Sequence, residues 1–139
     1  MMIDEFIGEY YFLSNFSYSK IELNGFIFDS GEAAFHSFKD ISRQSEFVDI
    51  FPLMAKRKGR RVSLRSDWEQ VKDDIMYQVV KAKFEQNVDL KEKLLATENQ
   101  KLVEGNTWND TYWGICQGKG FNVLGVTLML IRHELRGES

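Results

Sequence analysis

Apolar residues recur at two different spacings along this chain. In KIELNGFIF (residues 20–28) they alternate on both sides of Asn24-Gly25, a pair that tolerates the positive φ of a type I′ turn, so a β-hairpin is expected there. Directly after it stand Asp29-Ser30-Gly31-Glu32 and then AAFHSFKDI, with Phe35, Phe38 and Ile41 at helical spacing and Ser30 suited to cap the first amides. This order delivers Glu32 into the first helical turn, where the helix dipole favours a negative charge. A second helix is expected to start at Pro52 and to stop at Gly59. The longest periodic stretch is DWEQVKDDIMYQVVKAKFEQN, in which Trp68, Val71, Ile75, Val79 and Ala82 share one face of an amphipathic helix.

Beyond it, Asp89 is placed to cap a short helix containing Leu90, Leu94 and Leu95, and KLVE to form a brief strand. Residues 105–120, GNTWNDTYWGICQGKG, have neither period and read as a functional loop. The last segment, NVLGVTLMLIRHELR, is apolar on most faces and is expected to be a helix buried in the centre of the fold. Together these elements predict an α+β protein: a single compact, mostly helical domain over residues 1–139 with a small antiparallel β-hairpin or sheet.

Composition narrows the function classes. With 139 residues, 43% of them hydrophobic, there is material for one core. A net charge of −3 supplies no overall field to hold the chain on nucleic acid, although a local basic patch is compatible with it. Cys116 is the only cysteine, which rules out an internal disulfide and suits the reducing cytoplasm. The first residues, MMIDEFIGEYYFL, have neither the basic start nor the apolar run of a signal peptide, and no stretch is long enough to span a bilayer.

Several residues are chemically suggestive, each beside a plainer role. Trp108 and Trp113 in the loop can stack a base, at about 1–3 kcal/mol per base, or can simply fill the core. Glu32, Glu104 and Asp110 offer the carboxylates that glycosidic hydrolysis commonly uses, one to stabilise an oxocarbenium-like centre and one to handle water; Glu32 equally suits a solvated helix start. Lys56, Arg57, Lys58, Arg60 and Arg61 can meet phosphates or complement a helix end. His36 and His133 with a single cysteine give no metal-ligand spacing, so no metal and no organic cofactor is expected. Cys116 lacks a nucleophile signature and reads as a small core or loop residue.

Motifs in a fixed order span the chain from Phe12 to Leu135: FLSNF (12–16), DSGEAAFHSFK (29–39), AKRKGRR (55–61), Trp68, Met76, KFEQN (83–87), LLAT (94–97), LVEGNTWNDTYWG (102–114) and NVLGVTLMLIR (122–132). In this order and spacing the sequence resembles the YbiA-like family, also called NADAR. The resemblance implies a YbiA-like fold and a hydrolase of N-glycosidic bonds. Relatives act on phosphorylated riboflavin-pathway intermediates or remove ADP-ribose from modified guanine, so the implied substrate is a phosphorylated ribosyl compound, nucleotide-like or ADP-ribose-like, with nucleic acid involved only as a modified substrate.

Carried over by motif, the pocket falls on Asn15, Glu32, Lys56, Trp68, Glu104, Asp110, Trp113 and Gly114. The resemblance implies Glu32 and Asp110 as the catalytic pair, with acid and base unassigned between them. Trp68 and Trp113 then stack or wall the base, Lys56 holds phosphate and Asn15 bonds a ribose hydroxyl. Two positions depart from the family pattern: His36 stands where members often have Gln, and Gly114-Ile115-Cys116 where Gly-x-Gly often follows Trp. The competing reading is a binding module for ADP-ribose, a signalling nucleotide or an ADP-ribosylated partner that uses the same pocket without turnover.

Overall fold

A computed structural model describes residues 1–137. In chain order the elements are β1 (Met2–Ile3), a 3-10 helix (Gly8–Leu13), β2 (Tyr18–Leu23), β3 (Phe26–Ser30), α1 (Gly31–Ser37), a second 3-10 helix (Ile41–Phe47), α2 (Pro52–Gly59), α3 (Trp68–Gln86), α4 (Val88–Ala96), β4 (Lys101–Leu102), β5 (Gly105–Asn106), β6 (Ile115–Cys116) and α5 (Val123–Gly137). Helix predominates, as expected for the α+β class. The chain divides into two compact units, one continuous from Asn15 to Asn87 and one assembled from Met1–Ser14 with the chain from Val88 onward.

In the continuous unit the expected hairpin is present. Leu23 pairs with Phe26 across Asn24 (φ 53°) and Gly25 (φ 83°), and the alternation buries Ile21 and Phe28 completely. β3 runs straight into α1 because the Ser30 hydroxyl accepts the amide of Ala33 at 3.1 Å, capping the helix. α1 stops at Ser37, earlier than the apolar spacing predicts. The cause is Asp40: its carboxylate takes the amide and hydroxyl of Ser42 (3.2 and 2.6 Å), starting a new turn that leaves Ile41 half exposed.

α1 packs on α2 and α3, with every residue but Glu32 buried. α2 begins at Pro52 and ends at Gly59, as the sequence indicates. α3 buries Trp68, Ile75, Val79 and Ala82 of the expected face, while Val71 is half-buried. It also buries Lys83, 1% exposed, whose ammonium donates to the Ser17 hydroxyl at 3.2 Å.

In the other unit the KLVE stretch does supply a strand, β4, which pairs in parallel with β1 (Met2 opposite Lys101, Ile3 opposite Leu102). α4 starts at Val88, so Asp89 lies inside its first turn and is not its cap. α5 corrects the expectation of a helix buried in the centre of the fold. Leu124, Leu128, Ile131 and Leu135 form one buried stripe, while Val126 and Leu130 are about half exposed. Arg132 on the buried side donates to the Thr97 hydroxyl (2.9 Å) and the Gln100 carbonyl (2.8 Å), tying α5 to the turn after α4. Among the described residues no helix is long and apolar enough to cross a membrane.

Candidate functional site

Glu32 is the best-defined carboxylate of the continuous unit. Its backbone amide donates to the Asn15 carbonyl at 3.0 Å, and Gly31 before it lies so close to Asn15 that a β-carbon there would meet Asn15 Oδ1 at 2.6 Å. Asn15 is itself buried, its amide nitrogen 3.3 Å from Met76 Sδ. One helical turn on, His36 Nε2 stands 3.3 Å from Glu32 Oε2, and the two side chains are only 11% and 13% exposed.

Lys39 joins this cluster. Partial burial pulls its ammonium below the usual lysine range, with Glu32 opposing that drop and Arg60 adding to it. Its Nζ is 5.6 Å from the centre of the Trp68 ring. Trp68 is buried against Phe35, ring centres 5.1 Å apart, so it serves as a wall and offers no open stacking face. In the basic run on and after α2, Lys58 is taken up by Glu46 at 2.6 Å, Lys56 is half-buried, and Arg57, Arg60 and Arg61 are exposed.

In the other unit the loop from Glu104 to Asn122 is organised by Asn106. This buried side chain donates to the Asp110 carbonyl (2.9 Å) and Glu104 Oε2 (3.2 Å) and accepts the amides of Asp110 (3.1 Å) and Trp108 (3.3 Å). Asp110 Oδ1 in turn accepts the amides of Tyr112 (3.1 Å) and Trp113 (2.9 Å), which fixes the carboxylate and leaves Oδ2 for other work. Gly114 is buried where any β-carbon would collide with the carbonyl and carboxylate of Glu104. β5 and β6 pair in parallel, so the Ile115-Cys116 departure is part of a strand (Gly105 opposite Ile115).

Trp113 packs edge-on against Tyr112, ring centres 4.9 Å apart, whereas Trp108 is 59% exposed and fills no core. Cys116 is buried with its sulfur 3.8 Å from Asn109 Oδ1, in keeping with a loop or core residue. His133 is exposed, and among the described residues no group of three or more His, Cys, Asp or Glu side chains is placed to hold a metal ion.

The structure thus brings Asn15, Glu32 and Trp68 together in one unit, with Lys56 in the same unit on α2, and Glu104, Asp110, Trp113 and Gly114 together in the other. Two residues escaped the sequence reading. Lys39 lies seven positions after Glu32, two turns along a helical spacing, and Asn106 opens the Asn-Thr-Trp-Asn-Asp run whose short polar side chains favour side-chain-to-backbone turns.

Residues 5–136 match the NADAR domain family. The chain is 41% identical over 128 residues to the N-glycosidase YbiA of Escherichia coli, covering 88% of this chain and 79% of that protein. Over a shorter span of 74 residues it is 46% identical to an N-glycosidase of Nostoc punctiforme, covering 52% of this chain and 47% of that protein. It is 44% identical over 77 residues to the riboflavin biosynthesis protein PYRR of Arabidopsis thaliana, covering 55% of this chain and 13% of that protein. The NMR structure of E. coli YbiA superposes with a TM-score of 0.86 at 37% identity, covering 99% of this chain and 85% of that one. Fold and relatives together define an enzyme of the N-glycosidase class. Within that class, the chain belongs to the NADAR family.

Proposed function

We propose that this enzyme hydrolyses the bond between nitrogen and ribose C1′ in a phosphorylated ribosyl compound, nucleotide-like or ADP-ribose-like, in the cytoplasm. The observation that carries the reading is the cluster at α1: a carboxylate, Glu32, clamped through its backbone by Asn15 and through its side chain by His36, and within electrostatic reach of Lys39, on which Arg60 also acts. A fixed negative charge suits an oxocarbenium-like carbon, and neighbouring cations suit a phosphate.

In the reaction the C1′–N bond breaks with its electron pair going to nitrogen. Water oxygen bonds to C1′, and the water proton ends on the departing base. Glu32 and Asp110 divide this work, one stabilising positive charge at C1′ and the other orienting or deprotonating water. Lys56 holds phosphate, Trp68 and Trp113 border the base, and Asn15 bonds a ribose hydroxyl. The sequence similarity to a riboflavin biosynthesis protein supports including riboflavin-pathway intermediates among the substrates. The lone, unpaired Cys116 supports the compartment.

The test is to incubate the purified protein and its Glu32→Ala variant with riboflavin-pathway intermediates, NAD, ADP-ribose and ADP-ribosylated guanosine, following released base and sugar phosphate by mass spectrometry. Cleavage of one compound by the wild type alone is the expected result. Tight binding of a compound that is never cleaved would overturn the proposal in favour of a binding module.

A further inference from the structure

We propose that His36 is the positioning residue of the Glu32 carboxylate: it donates Nε2–H to Glu32 Oε2, while α2 holds the bare Nδ1 edge of the ring against Gly59. This deepens the reading above and rests on Glu32 taking part in the hydrolysis.

The two ends of the imidazole give the same answer independently. At one end, Nε2 lies 3.3 Å from a carboxylate oxygen. A neutral imidazole has one N–H and one lone pair, and a carboxylate oxygen only accepts, so a bare Nε2 would set two acceptors against each other. At the other end, Nδ1 is buried and has no hydrogen-bond partner. A proton there would be a buried donor with nothing to receive it, a costly arrangement. Both ends therefore place the proton on Nε2.

Gly59 explains why the ring keeps this orientation. A β-carbon at position 59 would overlap Nδ1 and come within 2.9 Å of the neighbouring ring carbon, so glycine is what lets the end of α2 close over the imidazole. Phe35 meets the ring near edge-on, ring centres 5.5 Å apart at 72°. Held on these sides, the imidazole has little freedom to turn, and neither has the carboxylate it holds. A glutamate fixed before substrate arrives loses no rotamer freedom at the moment of reaction.

His36→Ala is expected to lower kcat about ten- to hundredfold, the range for one hydrogen bond to a charged group, with KM changed less than about threefold. His36→Gln, whose amide also presents an N–H donor, is expected to recover most of that loss. Gly59→Ala is favourable by helix propensity, yet is expected to reproduce the His36→Ala defect in kcat by pushing the ring away. An indifferent Gly59→Ala, or a His36→Gln variant that is folded and as slow as His36→Ala, would overturn the assignment.

The tautomer can be read without turnover. In nitrogen-15 NMR of the wild type, His36, identified by its disappearance in His36→Gln, should show Nε2 protonated and Nδ1 bare. Glu32→Ala should move the Nε2 signal. A proton found on Nδ1, or an Nε2 signal indifferent to Glu32→Ala, refutes the proposal even if no ribosyl compound is ever cleaved, so its failure is distinguishable from failure of the functional reading.

Discussion

Replacing Lys83 with methionine should make the enzyme more stable at neutral pH and should remove a pH dependence that the wild type carries. Lys83 is fully buried in α3, and burial pulls its ammonium down from the ordinary 10.5 to about 7. Between those values the unfolded chain holds the proton and the folded chain does not, so unfolding takes up a proton. Stability therefore rises with pH across this window, levels off above it, and is lowest below about pH 7, where both states are protonated. At 1.36 kcal/mol per pH unit the whole window corresponds to roughly 5 kcal/mol. Urea unfolding from pH 6 to pH 9.5 should show Lys83→Met ahead of the wild type at pH 6, with its advantage shrinking by about 1 kcal/mol per pH unit above pH 7.5. Parallel stability profiles for the two proteins would refute the reasoning, because every other titrating group is common to both.

Two further substitutions test other parts of the fold. Ser30→Ala deletes the cap on α1 and should cost about 1 kcal/mol in chemical denaturation, and an unchanged midpoint would mean that the 3.1 Å bond to Ala33 contributes nothing. Gly114→Ala drives a β-carbon into the Glu104 carbonyl, backbone that cannot swing aside, and should cost about 3 kcal/mol or more; a thermal melt matching the wild type would show that the loop yields.

How far the sequence could be read depended on the distance between interacting residues. The hairpin turn at Asn24-Gly25, the Ser30 cap and the Pro52–Gly59 helix depend on neighbours within a few positions, and each is found as read. The end of α1 was missed because Asp40 and Ser42 compete for the backbone, an effect that apolar spacing does not register. The exposed face of α5 was missed because Val126 and Leu130 are apolar and nothing in their own segment says that they face outward. Lys83 lies in a helix with many charged residues, and only its packing reveals its burial. For the proposed site, motif order assigns Glu32 and Asp110, and His36 stands out as a departure at a spacing of four from Glu32. The roles of Gly59 and Asn106 depend on contacts between backbone and side chains that no residue pattern displays.

The pairing of β1 with β4 also bears on how the protein is made. On a ribosome, the stretch from Asn15 to Asn87 is synthesised before β4 and α5. At about 5–20 residues per second, residues 88–139 take roughly three to ten seconds to synthesise. Throughout that interval Ile3, Phe6 and Leu13, all buried in the finished molecule, have no cover from the later half of their own unit. Residues 1–14 therefore wait, with apolar side chains that have no cover from that half of their unit, for a partner segment made much later, which exposes them to chaperones, proteases and aggregation in the meantime.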